Sequence, residues 1–491
     1  MLQCRPAQEF SFGPRTLKDA LVSTDTALRQ LYATVFSPAE RLFLAEAYNP
    51  QGTLFCSLRI HTASDWLLSR PEAPEDFQTF YQSLLRRKPS PGRKHIYLQP
   101  IDLSEGPVGR PLLDSVRSCT EAFFLGLRVK CLPSVAATSI HCFSRPRRDS
   151  DRLQFHTDGV LSFLKSRKPD DALCVLGLTL SDLYPCDSWN FTFSKSFPGH
   201  EVGVCSFTRF SGEFLWPEPG TSDPVQAEVA AGDPKVPVQP RVQTQSFSTL
   251  GMALCCQVTC HELCHLLGLG SCRWLGCIMQ GALSLDEVLR RPPDLCPICL
   301  RKLQHLLGFQ LLDRYKELYA WTQAAAGTWP HWEAAEQSES ENTLPRSADS
   351  GLGSDNDPEA LSSLLEPLTP DGSGPELEPS EGPSPPVDLD GLPTEALREQ
   401  GLWLTACIRA LEREVTEEEL ARLDGAVDEL AQWELFSGQL PAPRQALPGG
   451  QDCGGLRRAL GDALSAWRRK LGSRKLAKAE LPPCRWTQGD D

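Results

Sequence analysis

Long apolar runs are missing from this sequence of 491 residues. None approaches eighteen consecutive apolar positions, so no membrane span is expected. The first nineteen residues hold no continuous apolar stretch, and no secretory signal is expected there. Positive charge is in deficit: 49 Lys and Arg stand against 63 Asp and Glu, a net charge of −14. That balance argues against nucleic acid as the main partner. Methionine is rare, at three residues, so the place of each carries weight. Cysteine is plentiful, with 19 residues, eight of them between 255 and 299. An odd, crowded set without a secretory signal favours metal-bound thiols in a reducing compartment over a disulfide framework. The expected setting is intracellular, in the cytoplasm, with the nucleus as a second location.

The densest chemistry lies in residues 254–303. His261-Glu262-Leu263-Cys264-His265 puts two imidazoles four residues apart, on one face of a helix. Neutral imidazoles so placed can chelate one zinc ion, and Glu262 can reach a water there. Gly268, three residues beyond His265, suits a left-handed helix stop. A second signal follows. Cys272 and Cys277 are a C-x4-C pair, and Cys296-Pro297-Ile298-Cys299 is a C-x-x-C knuckle. Four such thiolates suit a closed, tetrahedral structural zinc site. Two disulfides, or free buried thiols, are the alternatives. Cys255, Cys256 and Cys260 read as small buried residues.

HExxHxxG, then C-x4-C-x-M, then a distal C-x-x-C resembles the archaemetzincin family, a branch of the metzincin zinc peptidases. The motif spans about forty residues, and the resemblance extends upstream to about residue 95. It says nothing of the chain beyond about residue 330. The resemblance implies two zinc ions per chain. One is catalytic, at His261 and His265; the other is structural, at Cys272, Cys277, Cys296 and Cys299. It also implies that Met279 forms the methionine turn, an apolar floor under the catalytic metal. The sequence departs from the family at one ligand. The family pattern has a third His just before the first structural cysteine, where this chain has Ser271. Serine is not among the usual zinc ligands. The third contact is then an extra water, Cys264 or a more distant group, or the site holds metal poorly.

The rest of the chain divides by composition. Residues 1–90 read as a helical N-terminal extension, with helical apolar spacing over 25–43. Residues 91–330 read as the zinc peptidase domain, of class α/β (α+β) with a mixed sheet and an active-site helix. Strands are expected near 94–103, 128–132, 172–180, 190–193 and 202–207, and helices over 116–127 and 158–164, the latter capped by Thr157. The active-site helix is expected over 245–268, capped by Ser246 or Ser248. By resemblance this domain contains the metzincin upper subdomain, whose edge strand binds peptide by strand addition. Residues 331–400 read as a disordered acidic linker: positions 333–400 hold seventeen Asp and Glu against two Arg. Residues 401–491 read as a helical C-terminal module, with helices over 402–415, 416–433 and 456–476, able to dock a protein partner.

The resulting expectation is a zinc metallopeptidase acting on peptides or proteins. Zinc at His261 and His265 polarises the scissile carbonyl and activates a water, with Glu262 as general base. Aminopeptidase and endopeptidase action are both open. The rival expectation is a silent or weak zinc-binding protein in which only the Cys4 site fills, motivated by Ser271. A third reading makes Glu287, twenty-two residues after His265, a carboxylate ligand as in gluzincins.

Overall fold

The computed structural model describes residues 8–49, 52–86, 93–103, 106, 108–147, 150–215, 246–329 and 392–437. It opens with β1 (Gln8–Phe10), α1 (Pro14–Val22), α2 (Thr26–Val35) and α3 (Pro38–Ala45). β2 (Leu58–Ile60) pairs antiparallel with β1, a small sheet in a stretch that reads as helical. α4 (Trp66–Ser69) and α5 (Phe77–Arg86) follow. The helical spacing over 25–43 is split at Ser37. Its hydroxyl accepts from Glu40 N, while the Glu40 carboxylate accepts from Ser37 N, and Pro38 begins the new helix. A capping box with proline at the first helical position starts a helix, and that proline cannot continue an earlier one. Local cap chemistry therefore overrides the apolar period.

The central part runs β3 (His95–Ile101), α6 (Gly109–Phe123), β4 (Arg128–Cys131), β5 (Ser144–Arg147), β6 (Ser150–His156), α7 (Thr157–Ser166), β7 (Ala172–Thr179), β8 (Asp182–Tyr184), β9 (Ser194–Phe197), β10 (Val202–Ser206) and α8 (Gly212–Leu215). Five strands form one sheet in the order β4-β3-β7-β10-β9. Its neighbours are parallel except β9, which is antiparallel to β10 and lies at the edge. β7 is central and buried on both faces, as its continuous apolar run requires. Cys174, Leu176 and Leu178 face the larger core, while Val175 packs with Val160 and Leu164 of α7 in the other. β5, β6 and β8 form a separate sheet.

Two local expectations are corrected here. Residues 190–193 are not a strand; only Thr192 bridges Leu183, and β9 begins at Ser194. The aromatic residues that suggest a strand are held by side-chain packing instead. Phe193 stacks on Phe210 at 5.5 Å, and the Arg209 guanidinium lies 3.5 Å over Phe191. The cap of α7 is His156, whose Nδ1 accepts from Asp158 N, and Thr157 is the first helical residue.

The last part comprises α9 (Thr249–Leu267), α10 (Leu285–Arg290), α11 (Pro297–Leu307), α12 (Leu311–Thr328), α13 (Leu392–Leu411) and α14 (Glu417–Ser437). α9 is capped by Ser248, whose hydroxyl accepts from Gly251 N. α9 is long and apolar enough to cross a membrane, yet most of it is buried inside the protein and it carries Gln257, His261, Glu262 and His265. It is the core helix onto which α6, β9 and β10 pack. α13 lies on α12 and α3, with Leu404 and Cys407 fully buried, and Trp403 Nε1 donates to Leu54 O at 2.8 Å. α14 meets α1 through ion pairs: Arg15 with Asp428, and Lys18 with Asp424 and Asp428. The helix expected over 456–476 lies outside the described residues.

One buried ion pair ties these elements together. Both side chains are almost fully buried, and Arg314 Nη1 and Nη2 donate to the two Asp294 oxygens at 3.0 and 2.6 Å. Arg314 Nε also donates to Phe123 O, at the end of α6. Removing one partner leaves the other charge buried and unpaired, which costs about 3–5 kcal/mol. Arg314→Met is therefore expected to lower the unfolding free energy by about that much, read from the urea midpoint.

Candidate metal centre and active site

α9 carries the two histidines and ends where its sequence demands. Gly268 adopts φ 102°, the left-handed region that glycine enters without strain, and its N–H returns to the carbonyls of Cys264 and His265. The chain then doubles back beneath the helix. His261 Nδ1 lies 2.7 Å from Ile278 O, and His265 Nδ1 lies 2.9 Å from Leu269 O. A carbonyl accepts only from a protonated Nδ1, so in the neutral tautomer each Nε2 carries a free lone pair, the form that ligates metal. The two rings lie 4.6 Å apart. Burial, together with the charges of Arg291 and His265, pushes the His261 pKa well below its usual value, keeping that ring neutral.

Glu262 is 2% exposed, and its Oε1 is buried with no partner. A buried carboxylate oxygen without a donor is costly, and none of the described residues supplies one. Gly203 on β10 makes room for it: a Cβ there would lie 3.4 Å from Glu262 Cγ and 3.1 Å from a Leu176 methyl. Two imidazoles with free Nε2 atoms and a carboxylate unpartnered among the described residues form a donor set suited to a zinc ion and its water.

The cysteine quartet is brought together as the spacing requires. The Sγ atoms of Cys272, Cys277, Cys296 and Cys299 all lie within 4.8 Å of one another and are buried. Cys272 and Cys296 Sγ are 3.6 Å apart, and all four thiols are free. A tetrahedral zinc with 2.3 Å bonds has sulfurs about 3.8 Å apart, so the quartet fits. Met279 N and Cys296 N donate to Cys277 Sγ at 3.4 and 3.3 Å. Hydrogen bonds from Cys277, Cys296 and Cys299 hold the Cys272 thiol well below its usual pKa. Burial, with the same neighbours, pushes Cys277 well above. A bound metal would let all four sulfurs ionise.

The remaining expected residues sort themselves. Met279 is fully buried, follows the residue that holds His261, and accepts from Cys272 N at 2.8 Å. Ser271 is half-buried and stands where the third ligand would be. Cys264 is fully buried, and burial pushes its thiol above the usual pKa. Glu287 is spent elsewhere: its oxygens accept from Trp66 N at 2.6 Å and Leu283 N at 2.7 Å. Among the described residues, the Cys quartet is the only cluster of three or more metal-type donors, so neither Glu287 nor Cys264 joins the histidine pair. Three contributors were not legible in the sequence. Gly203 sits in an ordinary strand, Arg291 precedes two prolines in a loop, and Lys302 is a helical lysine that turns out buried. Lys302 Nζ donates to Glu75 O and Oε2 at 2.7 and 2.8 Å, beside the quartet.

Known proteins match this arrangement. A family model described as Peptidase family M54 matches residues 249–305, which run from α9 through most of α11. Archaemetzincin-1 of Homo sapiens is 67% identical over 497 residues, covering 99% of each chain. Archaemetzincin-2 of Rattus norvegicus is 38% identical, covering 64% of this chain and 87% of its own. The crystal structure of archaemetzincin from Methanopyrus kandleri is 24% identical and covers 45% of this chain and 99% of its own, at a TM-score of 0.32. At 67% identity along nearly the whole of both chains, this chain belongs to the archaemetzincin family of zinc metallopeptidases.

Proposed function

We propose that the chain hydrolyses peptide bonds at the His261–Glu262–His265 site, with Glu262 as general base. The observation that carries this reading is the buried, unpartnered Glu262 Oε1 next to two imidazoles whose Nε2 atoms are free. Zinc held by His261 and His265 would polarise the scissile carbonyl and lower the pKa of water. Glu262 takes the proton of the attacking water at Oε1 and delivers it to the leaving amine. The carbonyls of Ile278 and Leu269 hold both imidazoles in one tautomer and one orientation throughout. β9 has a single neighbour, β10, so its other edge offers backbone donors and acceptors to an extended peptide. A second zinc at Cys272, Cys277, Cys296 and Cys299 would fasten α11 to the loop under α9. Free thiols at all sixteen described cysteines support a reducing, cytoplasmic setting.

Glu262→Gln is expected to lower cleavage of unstructured peptides by at least about a hundredfold while leaving zinc content unchanged, measured by mass spectrometry of products and of metal. Equal cleavage by the variant would remove Glu262 from the reaction. The same peptides with free and acetylated N-termini separate aminopeptidase from endopeptidase action, since only the former needs the free amine.

The silent-site reading is favoured by one observation: Ser271 occupies the third-ligand position, and no third donor replaces it among the described residues. Ser271→His tests it. A second zinc appearing per chain, with a rise in cleavage, is expected if the natural site is crippled. Two zincs per chain in both the natural protein and the variant would mean that the two histidines suffice. Cys296→Ser with Cys299→Ser is expected to remove one zinc and lower the melting temperature, whichever reading holds.

A further inference from the structure

Beside the histidine pair lies a buried guanidinium without a partner. Arg291, just after α10, is 8% exposed. Its Nε is buried and bonded to nothing, and among the described residues its guanidinium makes no hydrogen bond or ion pair. Its backbone, by contrast, is fixed. Gln257 Nε2 donates to Arg291 O at 2.9 Å and to Pro292 O at 3.1 Å. Gln257 lies one turn before His261 on α9, so this bond sets Arg291 alongside the catalytic pair. Its charge is felt by His261, and the acidic groups that act on it are Cys277, Glu287 and Glu262. None of them bonds to it; Glu287 is committed to two backbone N–H groups.

The other buried cations near the core each donate to at least one partner. Arg314 is paired with Asp294, Lys302 with Glu75, and Arg301 donates to the carbonyls of Leu21 and Leu28. A buried charge is costly unless it is paired. Arg273 likewise donates to the carbonyls of Leu67 and Arg70. Four such cations therefore have partners, while Arg291 has none among the described residues. We propose that Arg291 receives a carboxylate of the substrate bound at this site. A guanidinium takes a carboxylate through two parallel N–H···O bonds, so the preference would be geometric as well as electrostatic. The carboxylate comes from an acidic side chain or from the peptide's C-terminus. This inference rests on the peptidase reading above and names the class of peptide that the site selects.

The test measures binding, so that it does not depend on turnover. Zinc-loaded Glu262→Gln protein is titrated calorimetrically with a peptide set. In one arm Glu replaces Gln at each position in turn, with the C-terminus amidated. In the other the neutral peptides carry a free or an amidated C-terminus. One arm is expected to show a carboxylate preference of at least about tenfold. Adding Arg291→Met should abolish that preference, and Arg291→Lys should restore part of it, with zinc content constant. No preference in either arm, or one that survives Arg291→Met, overturns the proposal. Zinc loss in Arg291→Met with the preference intact also overturns it, and assigns the arginine to the cysteine centre. If the preference stands while wild-type protein cleaves none of the bound peptides, the peptidase reading fails and the anion site remains.

Discussion

The hydrogen bond between His261 Nδ1 and Ile278 O joins the histidine pair to the cysteine quartet. Ile278 lies between Cys277, a member of the sulfur quartet, and Met279, whose carbonyl accepts from Cys272 N. Ile278 N in turn donates to Asp294 O, and the Asp294 side chain holds Arg314. A single peptide segment therefore orients the His261 imidazole, closes the thiol cluster and connects to the buried Arg314–Asp294 ion pair. Buried polar networks of this kind rigidify when every member is satisfied. The sulfur centre is best understood as the foundation of the loop that aims His261.

α9 supports this arrangement from above. It is buried around nearly its whole circumference, so its polar residues must find partners inside the protein. Gln257 reaches the carbonyls of Arg291 and Pro292, and each histidine reaches a carbonyl of the returning chain. Close approach to β10 at Gly203 places Glu262 within the same enclosed space. Glu262 Oε1 and Arg291 Nε remain as buried polar atoms without partners among the described residues.

Much of this was readable before any coordinates, and the reasons are specific. Two histidines at i and i+4, a glycine three residues on, and paired cysteines are local patterns whose spacing is itself the geometry. The helix stop at Gly268 and the convergence of four sulfurs follow directly. The continuous apolar run of β7 announced a strand covered on both faces. Reading failed where tertiary contacts decided. Phe191 and Phe193 have the composition of a strand, yet cation–π and ring stacking hold them in a loop. β5 and β6 went unread because their arginines, serines and proline lack apolar alternation. Residues 25–43 have one apolar period but two helices, because Ser37, Pro38 and Glu40 begin a new one. No local signal marks Arg291 or Lys302 as buried, since the chain that covers them is distant in sequence.

The two helices at the C-terminal end of the described chain are held by different forces. α13 is seated by buried side chains such as Leu404 and Cys407, an attraction that dissolved salt leaves largely intact. α14 contributes Val427 and part of Leu423 to the interior, and it also leans on Arg15, Lys18 and Arg41 through pairs whose acidic partners, Asp424, Asp428 and Glu417, are about half or more exposed. Such pairs are screened within roughly 8 Å at physiological ionic strength. The boundary between α13 and α14 is thus a boundary between a salt-insensitive and a salt-sensitive part of the molecule. Ionic strength acts there as a control on how firmly the last described helix is held, without reaching the metal sites.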